Sequence, residues 1–156
     1  TARLRRRTLP DSARRACYEQ TPLRIYLLDG QLLANILIAS KDETLRDLLE
    51  LSLQRFEHFV RLAEDGETSF KMVQEDFFDL ALFEYEMPNT TALEILKRLK
   101  QSYKTVPLII IVVTDFSPEI HKECVAAGAK DFVVKPFILP DLILRIEKML
   151  KAANLV

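Results

Sequence analysis

The chain has 156 residues, 49% of them hydrophobic, and a net charge of −1, which suits one folded domain with a short extension. Its apolar runs are far shorter than the ~18 residues a membrane span needs; the longest, Val106 to Val113, is strand length. The charge is uneven: residues 1–35 hold seven Arg against three acids, net +4, and the rest is net −5, so the body is mildly acidic and a nucleic-acid-binding core is not expected.

Residues 1–22 are polar and Arg-rich, with Pro10 and Pro22. They read as an irregular extension, and Arg3 to Arg7 followed by Pro10 and Asp11 does not resemble a secretory leader. Leu23 to Leu28 is strand-like, and Asp29-Gly30 is a strong two-residue hairpin signal before Leu32. The expected division is therefore an extension with a hairpin arm over 1–32 and a main domain over 33–156. The hairpin's second arm is expected to run into the first strand of that domain; the alternative is that Leu23–Gly30 ends an upstream domain.

From Ile36 onward strands alternate with helices. Ile36 to Ala39 is a short apolar run. Ser40 and Glu43 have the spacing of a capping box, and Leu45, Leu48, Leu49 and Leu53 follow at helical spacing. His58 to Ala63 reads as a second strand, Asp65-Gly66 as a turn, and Phe70 and Val73 as part of a second helix. Asp79 to Phe83 is a third strand. Thr91 and Glu94 form another capping box, with Leu93, Leu96 and Leu99 as the helix stripe. Leu108 to Val113 is the most apolar strand. Ser117-Pro118 reads as an N-cap with proline at N1, and Gly128 as a left-handed C-terminal residue. Asp131 to Val134 is a fifth strand. Pro140 opens a last helix that buries Leu142, Ile146, Met149 and Leu150. The phenylalanines at 56, 59, 77 and 78 read as core.

Strands apolar throughout and separated by helices imply a parallel sheet covered on both faces. The expected fold class is α/β, a doubly wound five-stranded sheet flanked by five helices. A site in such a fold lies at the carboxyl ends of the strands beside the switch in strand order. That directs attention to Ser40–Lys41, Glu84, Val113–Thr114 and Lys135.

Cys17 and Cys124, with His58 and His121, match no metal spacing. Reduced thiols in a cytoplasmic protein are the expectation. With three glycines in the chain there is no Gly-rich phosphate loop, and no triad or Cys/His pair stands at suggestive positions, so enzymatic activity is not expected.

Three segments resemble the receiver domain of response regulators, the CheY-like family: Ala63 to Glu67, Asp79-Leu80 leading to Glu84-Tyr85-Glu86-Met87-Pro88, and Ala127 to Phe137, which contains Phe132-Val133-Val134-Lys135-Pro136-Phe137. The resemblance covers about 120 residues and implies strand order 2-1-3-4-5, a flavodoxin-like arrangement. It also implies a cis bond between Lys135 and Pro136. In such receivers two acids after the first strand help hold Mg²⁺, an Asp after the third strand takes the phosphoryl group, and a Thr or Ser and a Lys contact it.

Here the acidic pair is matched by Ser40 and Lys41, and the phosphoacceptor by Glu84. The phosphate-contacting lysine is matched by Lys135, the switch aromatic by Phe132, and a family Gly by Ala92. The hydroxyl position falls on Val113 or, with a one-residue deletion in the following loop, on Thr114. A charged lysine cannot ligate a metal, so Mg²⁺ is not expected and Lys41 is expected to pair with Glu84, beside Lys135. Asp42 and Glu43 offer a register-shifted metal site, although the capping box already accounts for Glu43 and the favourable first turn of a helix for Asp42. Glu84 reads as a mimic of phosphoaspartate, a structural ion, or an acceptor with a longer arm.

The function expected is that of a pseudo-receiver, a phosphorylation-independent interaction module. Its partner, a protein or a second copy, would bind the last helix–strand–helix face around Pro118–Gly128, Phe132–Lys135 and Pro140–Ala153. Glu119, Lys122, Glu123, Lys130, Arg145 and Lys148 give that face mixed charge. The alternatives are a receiver that still accepts a phosphoryl group and an adaptor binding nucleic acid through its basic arm.

Overall fold

Parallel strands buried on both faces need continuous apolar sequence, and Leu108 to Val113 supplies the longest such strand. The computed structural model describes residues 26–28, 31–102 and 106–154. In chain order the elements are β1 (Tyr26–Leu28), β2 (Gln31–Leu33), β3 (Asn35–Ala39), α1 (Glu43–Arg55), β4 (Phe59–Ala63), α2 (Gly66–Glu75), β5 (Leu80–Glu84), β6 (Glu86–Met87), β7 (Thr90–Thr91), α3 (Ala92–Lys100), β8 (Leu108–Val113), α4 (Pro118–Ala126), β9 (Asp131–Val134) and α5 (Leu139–Asn154).

β4, β3, β5, β8 and β9 form a five-stranded parallel sheet in that order. Counting these strands alone, the order is 2-1-3-4-5. β3 is hydrogen-bonded on one side to β4, with Ile36 opposite Val60, and on the other to β5, with Ile36 opposite Leu80. The chain therefore leaves β3 in one direction and later passes it in the other, which opens a crevice at the carboxyl ends of β3 and β5.

Alternation along the strands divides the core into two layers. Ile36, Ile38, Leu80, Leu82, Ile110 and Val112 pack against α1 and α5 through Leu49, Leu53, Ile146 and Leu150. Leu37, Ala81, Phe83, Ile109 and Ile111 pack against α2, α3 and α4 through Val73, Leu96 and Cys124. Ile143 joins the buried face of α5 beside Leu142, and Met149 is only partly buried.

β1 and β2 pair antiparallel, Tyr26 opposite Leu33 and Leu28 opposite Gln31. The turn residues between them and the Arg-rich segment lie outside the described residues. Ala34 alone separates β2 from β3, so the hairpin's second arm does run on into the first sheet strand.

Several boundaries depart from expectation for identifiable reasons. The N-cap of α1 is Asp42, whose carboxylate accepts the Thr44 and Leu45 N–H groups, and not Ser40. Asp65 caps α2 by accepting the Thr68 N–H, so Gly66 begins a helix where a turn was expected. β4 starts at Phe59 because Glu57, at φ 69°, bends the chain first. Thr91 caps α3 through the Glu94 N–H, while the Glu94 carboxylate goes to the Thr90 hydroxyl at 2.7 Å and the box stays half-closed. Leu48 and Phe56 face solvent instead of the core: Leu48 lies on the flank of the stripe of Leu45, Leu49 and Leu53, and Phe56 is the C-cap beyond the last helical residue. The short β6–β7 ladder turns through Asn89 at φ 64°, a feature no sequence pattern announced.

Candidate functional site

Three residues at the carboxyl ends of β3, β5 and β9 meet in the crevice. Ser40 follows β3, Glu84 ends β5, and Lys135 follows β9. Ser40 is fully buried and Glu84 nearly so. The Ser40 hydroxyl donates a short hydrogen bond to Glu84 Oε2, and Lys135 Nζ donates to Glu84 Oε1 at 2.9 Å. Both oxygens of the carboxylate therefore have a donor.

Backbone bonds hold each of these side chains in place. The Ser40 N–H donates to the Ala63 carbonyl at 3.1 Å, and its hydroxyl accepts the Asp42 N–H at 3.0 Å. The Lys135 N–H donates to the Val113 carbonyl at 2.8 Å, and the Lys135–Pro136 peptide is cis. Tyr85 N–H donates to the Val112 carbonyl at 2.7 Å, extending the β5–β8 ladder one residue past Glu84. Burial, helped by the nearby Cys124 thiol, raises the Tyr85 phenol above its ordinary pKa, and burial does the same to Cys124.

Lys41 does not join this group. Its Nζ lies 4.0 Å from Glu86 Oε2, and both side chains are half-exposed or more. The expected Lys41–Glu84 pair is thus corrected: a neutral hydroxyl, not an ammonium, stands on the β3 side of Glu84. A flexible ammonium gains by staying hydrated at the rim, whereas Ser40 is short enough to be buried there. Asp42 is committed to capping and Glu43 is exposed in the first turn of α1.

Sequence reasoning missed Arg46. It is 9% exposed, its Nη1 donates to the Ser40 carbonyl at 2.7 Å, and its Nη2 lies 3.8 Å from Glu64 Oε1. The signal was present: Arg46 shares the helical stripe of Leu49 and Leu53, three and seven residues on. Val113 is the buried last residue of β8, paired with Val134 immediately before Lys135, whereas Thr114 is exposed just beyond. Phe132 is half-buried and meets His121 edge-on at 4.9 Å, with Phe116 beyond it at 6.2 Å. Asp79 sits at the opposite end of β5, where its carboxylate accepts the Asn35 N–H at 2.8 Å.

The donor set is a poor match for Mg²⁺, which asks for several hard oxygens in an octahedron. It offers one buried carboxylate whose oxygens are both engaged, with an ammonium in direct contact. Among the described residues no group of three or more His, Cys, Asp or Glu is placed to hold a metal.

Residues 36–147 match the family model described as the response regulator receiver domain. The chain is 32% identical over 124 residues to the phosphate regulon transcriptional regulatory protein PhoB of Rhizobium meliloti, covering 79% of this chain and 55% of that one. It is 29% identical over 119 residues to the response regulator ArlR of Staphylococcus saprophyticus, covering 76% and 53%. This chain thus spans about half the length of those curated relatives. Among solved structures, a CheY-like receiver domain protein from Methanospirillum hungatei superposes with a TM-score of 0.74 at 25% identity, covering 78% of this chain and 97% of that one. The chemotaxis protein CheY4 of Vibrio cholerae gives 0.67 at 29% identity, covering 74% and 98%.

Proposed function

The chain belongs to the response-regulator receiver family, and on that premise we propose that it works as a pseudo-receiver, a protein-interaction module of two-component signalling that no longer depends on phosphorylation. The carrying observation is the engagement of both Glu84 oxygens by Ser40 and Lys135. Phosphoryl transfer to a carboxylate needs a free oxygen aimed in line and a cation bridging the phosphoryl oxygens. The extra methylene of Glu84 displaces the nucleophile from the reach of an Asp, and misplacement by ~1 Å costs ~10²-fold. Val113, whose carbonyl accepts the Lys135 N–H, offers a phosphate methyl groups and no hydroxyl. On this reading the protein binds no Mg²⁺, catalyses nothing itself and acts in the cytoplasm. No helix among the described residues is long and apolar enough to cross a membrane.

The working face on this reading is α4–β9–α5. Phe116 and Ile138 are 55% and 66% exposed there. Around them Glu119, Lys122, Glu123, Lys130, Arg145 and Lys148 are all exposed and of both signs. Apolar anchors with a mixed-charge rim suit a protein partner, and a patch holding both signs is self-complementary, as a homodimer requires.

The test is intact mass after incubation with acetyl phosphate and Mg²⁺. The mass is expected to stay unchanged. A stable gain of about 80 Da, one phosphoryl group, on Glu84 would overturn the reading in favour of a working acceptor. Nucleic-acid binding that falls steeply with salt and disappears on deleting residues 1–22 would favour an adaptor instead.

A further inference from the structure

We propose that Arg46 is the positioning residue of this pocket, acting on Glu84 through Ser40; the inference deepens the pseudo-receiver reading by naming what fixes the engaged carboxylate. The guanidinium is taken out of water, where a surface arginine on α1 would remain, and its tightest contact is a backbone carbonyl, that of Ser40, at 2.7 Å. Its carboxylate neighbour, Glu64, is 3.8 Å away and 80% exposed, too solvated to be the reason for burial.

Ser40 carries the influence onward because every polar group it has is committed. Its N–H goes to Ala63, its carbonyl to Arg46, and its hydroxyl accepts from Asp42 while donating to Glu84 Oε2. A hydroxyl rotor with one acceptor and one donor partner has a single satisfactory orientation. That orientation holds only while the β3–α1 loop keeps its backbone path, and Arg46 is the side chain bonded to that path. A series of hydrogen bonds therefore runs from the guanidinium through Ser40 to Glu84 and ends at Lys135. Lys41, the cation that sequence alone suggested, stands at the rim with Glu86.

Amide hydrogen exchange of the full chain, read residue by residue, tests this. Arg46→Met is expected to accelerate exchange at Asp42, whose N–H bonds the Ser40 hydroxyl, by tenfold or more while Ile110 and Val112 keep wild-type rates. Arg46→Lys, which still offers a donor, is expected to recover part of the loss. Unchanged exchange at Asp42, or an equal acceleration at Ile110 and Val112, overturns the proposal, the latter because it marks simple loss of packing.

Should Arg46→Met not fold, Glu84→Gln decides the matter with Arg46 intact. Its Arg46 Nε–Hε resonance is expected to shift from the wild-type position; an unmoved resonance removes the link. Neither readout involves a phosphoryl group, so a chain that gains phosphate yet shows the selective exchange would sink the pseudo-receiver reading and leave the positioning role standing.

Discussion

His58 and Glu147 are 89 residues apart in sequence and meet through a short contact between His58 Nε2 and Glu147 Oε1 at the pole of the sheet opposite the crevice. The other ring nitrogen, Nδ1, accepts the Ala34 N–H at 3.1 Å, so the proton sits on Nε2 and is donated to the carboxylate. The histidine side chain is fully buried and Glu147 is 15% exposed. This one ring ties the entry to β3 to the last helix.

Replacing His58 by Ala strands a carboxylate and a backbone donor together. The expected cost is about 3 kcal/mol in urea unfolding. A loss under about 0.5 kcal/mol, the range of ordinary surface changes, would show that water replaces the ring.

In the crevice, Lys135→Met leaves Glu84 Oε1 without its ammonium donor and is expected to cost about 2–4 kcal/mol. The double variant Lys135→Met/Glu84→Gln is expected to lose less than the sum of its parts, because the second change removes the charge the first left unpaired. Additive losses in urea would mean that the contact at 2.9 Å contributes nothing.

Glu57 holds φ 69°, the left-handed region that costs an L-residue about 1–2 kcal/mol. Glu57→Gly is expected to raise stability by about 0.5 kcal/mol after the entropy of the freer unfolded chain is counted. Thermal unfolding checks this, and a lower Tm would show that Glu57 makes contacts worth more than the strain.

Gly66 answers to space, not to backbone strain. A Cβ there would lie 2.2 Å from Thr90 Cγ2, where α2 begins against β7. Gly66→Ala is expected to cost about 1–3 kcal/mol. Adding Thr90→Ser, which removes the methyl and keeps the hydroxyl bonded to Glu94, is expected to restore most of it; failure of that rescue would place the clash elsewhere.

Asp65 caps α2, and hydrogen bonds from Thr68 hold its carboxyl below the ordinary value. A carboxyl so depressed adds stability that is present above its unfolded pKa and lost as pH falls through the folded one. Asp65→Ala is therefore expected to cost about 1 kcal/mol near neutral pH and progressively less in acid. A penalty that stays constant from neutral pH to well below the carboxylate range would contradict the assignment.

The fold was legible where local pattern and tertiary environment ask for the same residue. Leu108 to Val113 is apolar throughout because both faces are covered, and Ser117-Pro118 caps a helix from within its own turn. Legibility failed where a distant partner decided. Spacing to Glu43 put the cap on Ser40, and the structure puts it on Asp42 because Glu84, 44 residues away, claims the Ser40 hydroxyl. Ser40, Glu84 and Lys135 were brought together as strand order suggested, but spacing does not say which carboxylate Lys41 would meet, and it met Glu86. Leu48 fits the helical period as well as Leu49 does; only the position of the neighbouring helices makes one exposed and the other buried.

Because Ala34 alone joins β2 to β3, the hairpin has no slack between itself and the sheet. β3 is an interior strand, zipped to β4 on one side and β5 on the other. Tension applied through the hairpin would therefore load two ladders in shear at once, where tension on an edge strand such as β9 would load one. The molecule resists being drawn out from that end by the geometry of its seams, and a tether attached there would have its anchor inside the sheet.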